Sequence, residues 1–200
     1  MPRFFAHLLG LTLGLSGGLA LVGTAAAATI TGDVAHTSAE FVVTHLTISQ
    51  VHGTIPVTSW QAVTDSAYVP QSFTATLDAT GVNTGDADRD KDLRGPDWFD
   101  VATYPTITFT STKITLGPND SFTAVGDLTM HGVTKSVTLQ GQVLGSVIDA
   151  KGNRHVGYTA TTTIDRRDFN LNWGKTTPGG QLIAAFEVTL NLEAEGIVQK

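Results

Sequence analysis

Cysteine is absent from all 200 residues. That excludes disulfides, thiolate metal sites, a cysteine nucleophile and lipid attachment at cysteine. A chain of this size can bury enough apolar surface to be stable without cross-links. Cations are scarce as well: 12 Lys and Arg stand against 18 Asp and Glu, a net charge of -6, and no basic run exceeds Arg166-Arg167. A polyanion needs a basic patch, so nucleic acid is not an expected partner. An anionic membrane surface would repel the bulk of the chain for the same reason. The one long apolar stretch, Leu8 to Val22, is shorter than the ~20 residues that span a bilayer comfortably.

That stretch reads as the core of a secretory leader. Arg3 supplies the charged start, and Ala25-Ala26-Ala27-Ala28 supplies small residues in an A-x-A arrangement, so cleavage is expected after Ala27 or Ala28. The chain then divides into a signal peptide at 1–28 and one domain at 29–200, periplasmic or secreted and without a stable membrane anchor. Loss of Arg3 moves the net charge from -6 to -7. The leader also disposes of Gly14-Leu15-Ser16-Gly17-Gly18, a match to the G-x-S-x-G nucleophile elbow, which requires a strand before it and a helix after it in a folded sheet.

From Phe41 onward the dominant period is two. Phe41 and Val43 alternate with Val42 and Thr44; Val51 and Ile55 with His52 and Thr54; Phe73, Ala75 and Leu77 with Thr74 and Thr76; Phe109 with Thr108 and Thr110. Further on, Phe122, Ala124 and Leu128 alternate with Thr123 and Asp127, and Leu139 stands between Thr138 and Gln140. Tyr158 and Ala160 sit among threonines, and Phe186, Val188 and Leu190 face away from Glu187, Thr189 and Asn191. Half-buried antiparallel strands produce this alternation, and threonine suits their wet face because its β-branch favours extended backbone. Gly117-Pro118-Asn119-Asp120, Asp149 to Asn153 and Pro178-Gly179-Gly180 supply turn chemistry between the runs. The expected fold is all-β: about eight strands in an up-and-down antiparallel barrel, whose interior at that strand number is either filled by side chains or holds one slender ligand. Pattern alone does not choose between a dry core and a cavity.

One segment breaks the period. Gly85 to Phe99 is charged and helix-compatible as far as Arg94, where Gly95-Pro96 stops it. A short helical turn and loop across the barrel is expected there, with Arg89 and Asp92 at the i, i+3 spacing of an ion pair.

The blocks Asp33 to Ser38, His45-Leu46, Val51-x-Gly53, Asn83-Thr84-Gly85 through Arg89-Asp90, Leu93-Arg94 and Asp97-Trp98-Phe99-Asp100-Val101 to Tyr104-Pro105 occur in order. Gly126 to Lys135 and Arg166-Arg167-Asp168-Phe169-x-Leu171-x-Trp173 follow. Together they resemble the YceI-like family of exported, lipocalin-like polyisoprenoid-binding proteins over nearly the whole of 29–200. The sequence departs from the family pattern at Asn170, where glycine is usual, at Asp165, where asparagine is common, and in the polar stretch from Pro56 to Tyr68. The resemblance implies a lumen holding a polyprenyl chain, a quinone tail or a similar lipid. Its wall would be Phe41, Val43, Val51, Ile55, Phe73, Ala75, Leu77, Phe109, Phe122, Ala124, Leu128, Leu139, Tyr158, Ala160, Phe186, Val188 and Leu190.

Three groups near the expected mouth invite a second role. Arg89 and Arg94 either tie the loop to the barrel or meet a polar headgroup through a guanidinium, and His45 shares the apolar parity of Phe41. No histidine pair has metal-ligand spacing, so His36, His45, His52, His131 and His155 suggest no metal site. No nucleophile and base are signalled outside the leader, so no catalytic residue and no cofactor are expected. A small exported hydrolase or isomerase acting on lipid, and a secreted interaction protein with a dry core, are the competing classes. A homodimer is compatible with either fold reading.

Overall fold

A computed structural model describes residues 27–200. The expected leader, up to residue 26, lies outside the described residues. The threonine-laced alternation becomes nine antiparallel strands: β1 (Ala28–His45), β2 (Ser49–Thr54), β3 (Val57–Thr64), β4 (Pro70–Asp78), β5 (Thr106–Leu116), β6 (Ser121–Met130), β7 (Val133–Ile148), β8 (Arg154–Asp165) and β9 (Ala184–Val198). Eight of them, β1 and β3 to β9, pair in sequence order and close into a barrel where β9 meets β1.

The ninth strand comes from a break at Ile55-Pro56. One edge of β1 is shared, Ala28 to Thr31 pairing with β3 and Glu40 to His45 with β2. The run read from sequence as one strand through Val51 and Ile55 is thus split in two. Pro56 has no N–H for a ladder, and its carbonyl instead accepts the Asp78 N–H at 2.9 Å.

The barrel has two unlike ends. At one, the turns are short: Asp65 to Val69, Gly117 to Asp120 and Asp149 to Asn153. At the other lie two long connections, residues 79–105 and 166–183, which fold over the opening.

The first connection carries the one α-helix among the described residues, α1 (Ala87–Arg94). Asp86 caps it by accepting the N–H groups of Asp88 and Arg89, and acids in the first turn and bases in the last complement the helix dipole. The expected Arg89–Asp92 ion pair does not form. Asp90, only 8% exposed, needs partners when buried and takes both the N–H of Thr84 at 2.7 Å and its hydroxyl at 2.6 Å. That fixes Thr84 where Arg89 reaches it, Nε donating to Oγ1 at 2.8 Å and Nη2 to the carbonyl at 3.1 Å.

Candidate ligand-binding lumen

The strand alternation turns one face of every barrel strand inward, and the inward set does not fill the space. A cavity of about 160 Å³ lies in the half of the barrel nearer the long connections. A smaller one of about 40 Å³ lies toward the short turns. Of the residues expected on the wall, Phe41, Val43, Ile55, Phe73, Ala75, Leu77, Phe109, Leu128, Leu139, Val188 and Leu190 line the larger cavity. Phe122, Ala124, Tyr158 and Ala160 line the smaller one.

An aromatic partition separates the two. Trp60, Phe73, Leu139, Leu192 and Ala194 touch both cavities. Trp60 stands 5.8 Å from Phe73 and edge-on to Tyr158 at 6.0 Å between centroids. Its indole Nε1 donates to Thr37 Oγ1 at 3.0 Å, which fixes the ring. The Tyr158 hydroxyl donates to the Tyr68 carbonyl at 2.8 Å, and burial pushes its phenol pKa above the usual range.

Leu93, Trp98, Phe99, Leu171 and Arg166 reach the larger cavity from the long connections. Arg166 is 3% exposed. Its guanidinium donates to the carbonyls of Ala185 and Ala184 at 3.0 and 3.1 Å, of Trp173 at 2.6 Å, and of Leu171. The rings of Trp98 and Phe186 hold the cation at 4.9 and 4.8 Å from their centroids. A buried cation is costly unless its donors are met; here carbonyls and ring faces meet them, and burial still lowers its pKa. Arg167 beside it pairs with Asp165 instead, whose carboxyl is held at about 2 by that guanidinium.

Five expected positions do not line either cavity. Phe186 packs instead against Arg166 and Arg167, whose guanidinium carbons lie 4.8 and 4.2 Å from its ring. Val51 belongs to β2, whose one strand partner is β1, beyond the Ile55-Pro56 break. His45 ends β1 half-buried at the rim. Arg89 engages Thr84, and Arg94 donates to the Val82 carbonyl at 3.1 Å; both partners belong to the 79–105 connection itself, so the two arginines brace that loop from within. Trp60, Trp98, Phe99 and Arg166 are among the wall residues the sequence did not single out. Trp60 was legible, since Trp60, Ala62 and Thr64 alternate on one buried face of β3; the other three sit on connections, where no period marks the inward side.

Spacing also gave no reason to group the histidines. The fold does group two: His36 and His155 meet Asp33, Asp149 and Glu195 on the outer wall.

The chain matches the family model described as a YceI-like domain over residues 31–196. It belongs to the YceI-like family. Protein YceI of Escherichia coli O157:H7 is 36% identical over 166 residues, covering 82% of this chain and 83% of that protein. Among solved structures, Burkholderia cenocepacia BcnA superposes with a TM-score of 0.71 at 25% identity, over 82% of this chain and 98% of its own. A polyisoprenoid binding domain from Saccharophagus degradans shares the fold with a TM-score of 0.61 at 16% identity, over 85% and 98%. In this YceI-like chain, as the resemblance implied, the fold is a closed eight-stranded antiparallel barrel with one short helix. Asn170 has φ 61° after the turn Arg166–Phe169, a left-handed position that glycine takes freely and asparagine tolerates. The departure from glycine therefore keeps the backbone path.

Proposed function

We propose that this protein is an exported carrier that holds the apolar chain of a lipid, a polyisoprenoid, quinone tail or similar molecule, inside the barrel. The observation that carries this reading is the unfilled cavity with its almost wholly apolar wall. Membership of the YceI-like family and the shared fold with a polyisoprenoid binding domain support the ligand class. Binding, not catalysis, suits such a wall. It presents hydrocarbon to hydrocarbon, and Arg166, the cation that reaches it, is already engaged by backbone carbonyls.

Size and energetics shape the mechanism. An engineered cavity of roughly 150 Å³ takes a molecule the size of benzene, so about 160 Å³ takes only a short segment of chain. A longer chain must push aside the Trp60 and Phe73 partition and join the two cavities. Leaving water favours the chain by ~0.8 kcal/mol per methylene, but a bilayer offers nearly the same gain. The protein therefore competes weakly with a membrane and exchanges cargo with it, which suits a carrier.

Native mass spectrometry and lipid extraction, on protein purified from its own host, test the reading. A co-purifying lipid with a long apolar chain is the expected result. An empty barrel that takes up no prenyl lipid from vesicles, or turnover of a lipid ester on the protein, would overturn it.

A further inference from the structure

On the outer wall near the short turns, β1, β8, β9 and the β7–β8 turn bring three carboxylates and two imidazoles together, away from the lumen. Asp33 and Glu195 are direct cross-strand partners in the β1–β9 ladder. Like charges placed directly opposite on one face repel, and none of Asp33, Asp149 and Glu195 forms an ion pair with Lys or Arg among the described residues. Between them stands His155, its Nδ1 2.8 Å from Glu195 Oε1 and its Nε2 3.2 Å from Asp149 Oδ2. His36 Nδ1 adds a second imidazole 3.0 Å from Asp33 Oδ2.

The two ring nitrogens of His155 are not equivalent. Asp149 is locked in its turn, Oδ1 accepting the N–H groups of Lys151 and Asn153 at 2.8 Å each, and Oδ2 the Asn153 side-chain amide at 3.2 Å. A neutral imidazole carries one N–H, and with that N–H on Nε2 it would meet the fixed Asp149 carboxylate. The Nδ1 lone pair is then aimed at the carboxylate of Glu195, with Asp33 opposite. Such a contact requires a cation in the middle. A proton on Nδ1 offsets one of the three negative charges; a divalent ion offsets two.

We propose that Asp33, His155 and Glu195 bind one divalent transition ion of the Zn²⁺ class. One donor atom from each of the three lies within 4.8 Å of the others. Ligands at about 2.0–2.2 Å from a tetrahedral ion stand roughly 3.3 Å apart, so small rotations close the set. The side chains have room for them, being 22% (Asp33), 18% (His155) and 38% (Glu195) exposed. Asp149 supplies the outer carboxylate that holds a ligating histidine in its tautomer. Imidazole with carboxylate selects Zn²⁺ and its neighbours over Ca²⁺ or Mg²⁺, which prefer all-oxygen sets. The strands supply rigidity, and the site joins the two strands that close the barrel.

The test is calorimetric titration of untagged, metal-stripped protein with ZnCl₂, with CaCl₂ as the comparison. One Zn²⁺ per chain and a raised melting temperature are expected. Asp149→Asn should weaken binding ~10–100-fold, and His155→Ala and Glu195→Gln should weaken it at least as much, while the lipid retained by the barrel is unchanged. Should a variant not fold, X-ray absorption of the Zn²⁺-loaded wild type decides, imidazole with oxygen scattering being expected. No Zn²⁺ uptake, equal Zn²⁺ and Ca²⁺ affinity, folded His155→Ala binding as tightly as wild type, or absorption lacking imidazole would each show that the cluster is an imidazolium-centred ion network and not a metal site.

Discussion

The ring of Phe122 on β6 occupies the space where a side chain on Gly141, its neighbour on β7, would stand: a Cβ there would collide with the Phe122 ring. Phe41 with Gly53 and Phe109 with Gly126 repeat the relation. In each case a large ring lies along the wall over a glycine and not across the lumen. Glycine thus keeps the interior open. Gly141→Ala should overpack this contact and destabilise the fold by about 1–3 kcal/mol. In a Phe122→Leu background the same change should cost much less, since the ring it strikes is gone. Equal costs in both backgrounds, by denaturant unfolding, would contradict the arrangement.

Adjacent arginines should behave oppositely. Arg166→Met removes the donors that satisfy the carbonyls of Leu171, Trp173, Ala184 and Ala185, and charged hydrogen bonds count for about 1.5–3 kcal/mol each. A loss of about 3 kcal/mol or more is expected. Arg167 has a side chain 52% exposed and paired with Asp165 on the surface, so Arg167→Ala should cost about 1 kcal/mol or less. Thermal melts of the two variants make the comparison, and a reversed order would contradict the role given to Arg166.

Most of the barrel was legible because alternation records which face of a strand is wet. Phe73, Ala75 and Leu77 were read from period two and do face the lumen. The Ile55-Pro56 break was not read, because apolar parity runs through it from Val51 and Ile55 to Val57 and only the missing proline N–H marks the split. The lid was legible only in part. Leu93, Trp98 and Arg166 approach the lumen from connections that have no repeating geometry, and a buried arginine satisfied by carbonyls looks in sequence like any surface cation. The His155 cluster joins residues of β1, β8, β9 and the β7–β8 turn, most of them far apart in the chain, so local spacing carried no trace of it.

The Tyr158 phenol gives stability a dependence on alkaline pH. In the unfolded chain it ionises near ~10, whereas burial in the barrel raises its pKa. The folded state holds the proton that the unfolded state releases, so this contribution is whole below pH ~10 and is lost as pH rises above it. Tyr158→Phe lacks the titration and also the bond to Tyr68. The wild type should therefore be the more stable of the two at pH 9, and its advantage should shrink at pH 11. An advantage that stays constant over that interval would remove Tyr158 as the cause.

Two alanines on the wall separate the roles of the two cavities. Ala75 faces the larger, about 160 Å³, and Ala160 the smaller, about 40 Å³. Ala75→Phe adds a ring to space that is already empty, so the lipid-free protein should melt within a few degrees of wild type while retaining far less lipid. Ala160→Trp must force an indole into a chamber bounded by Phe122, Tyr158 and the Trp60 partition, and overpacking of that kind commonly costs ~1–3 kcal/mol or more. It should lower the melting temperature of the lipid-free protein. Lipid retention by the two variants, read by mass spectrometry beside their melts, checks both expectations. If Ala75→Phe were strongly destabilising and lipid uptake by wild type were already negligible, the larger cavity would be closed space in a solid core, and the function would lie on the outer wall.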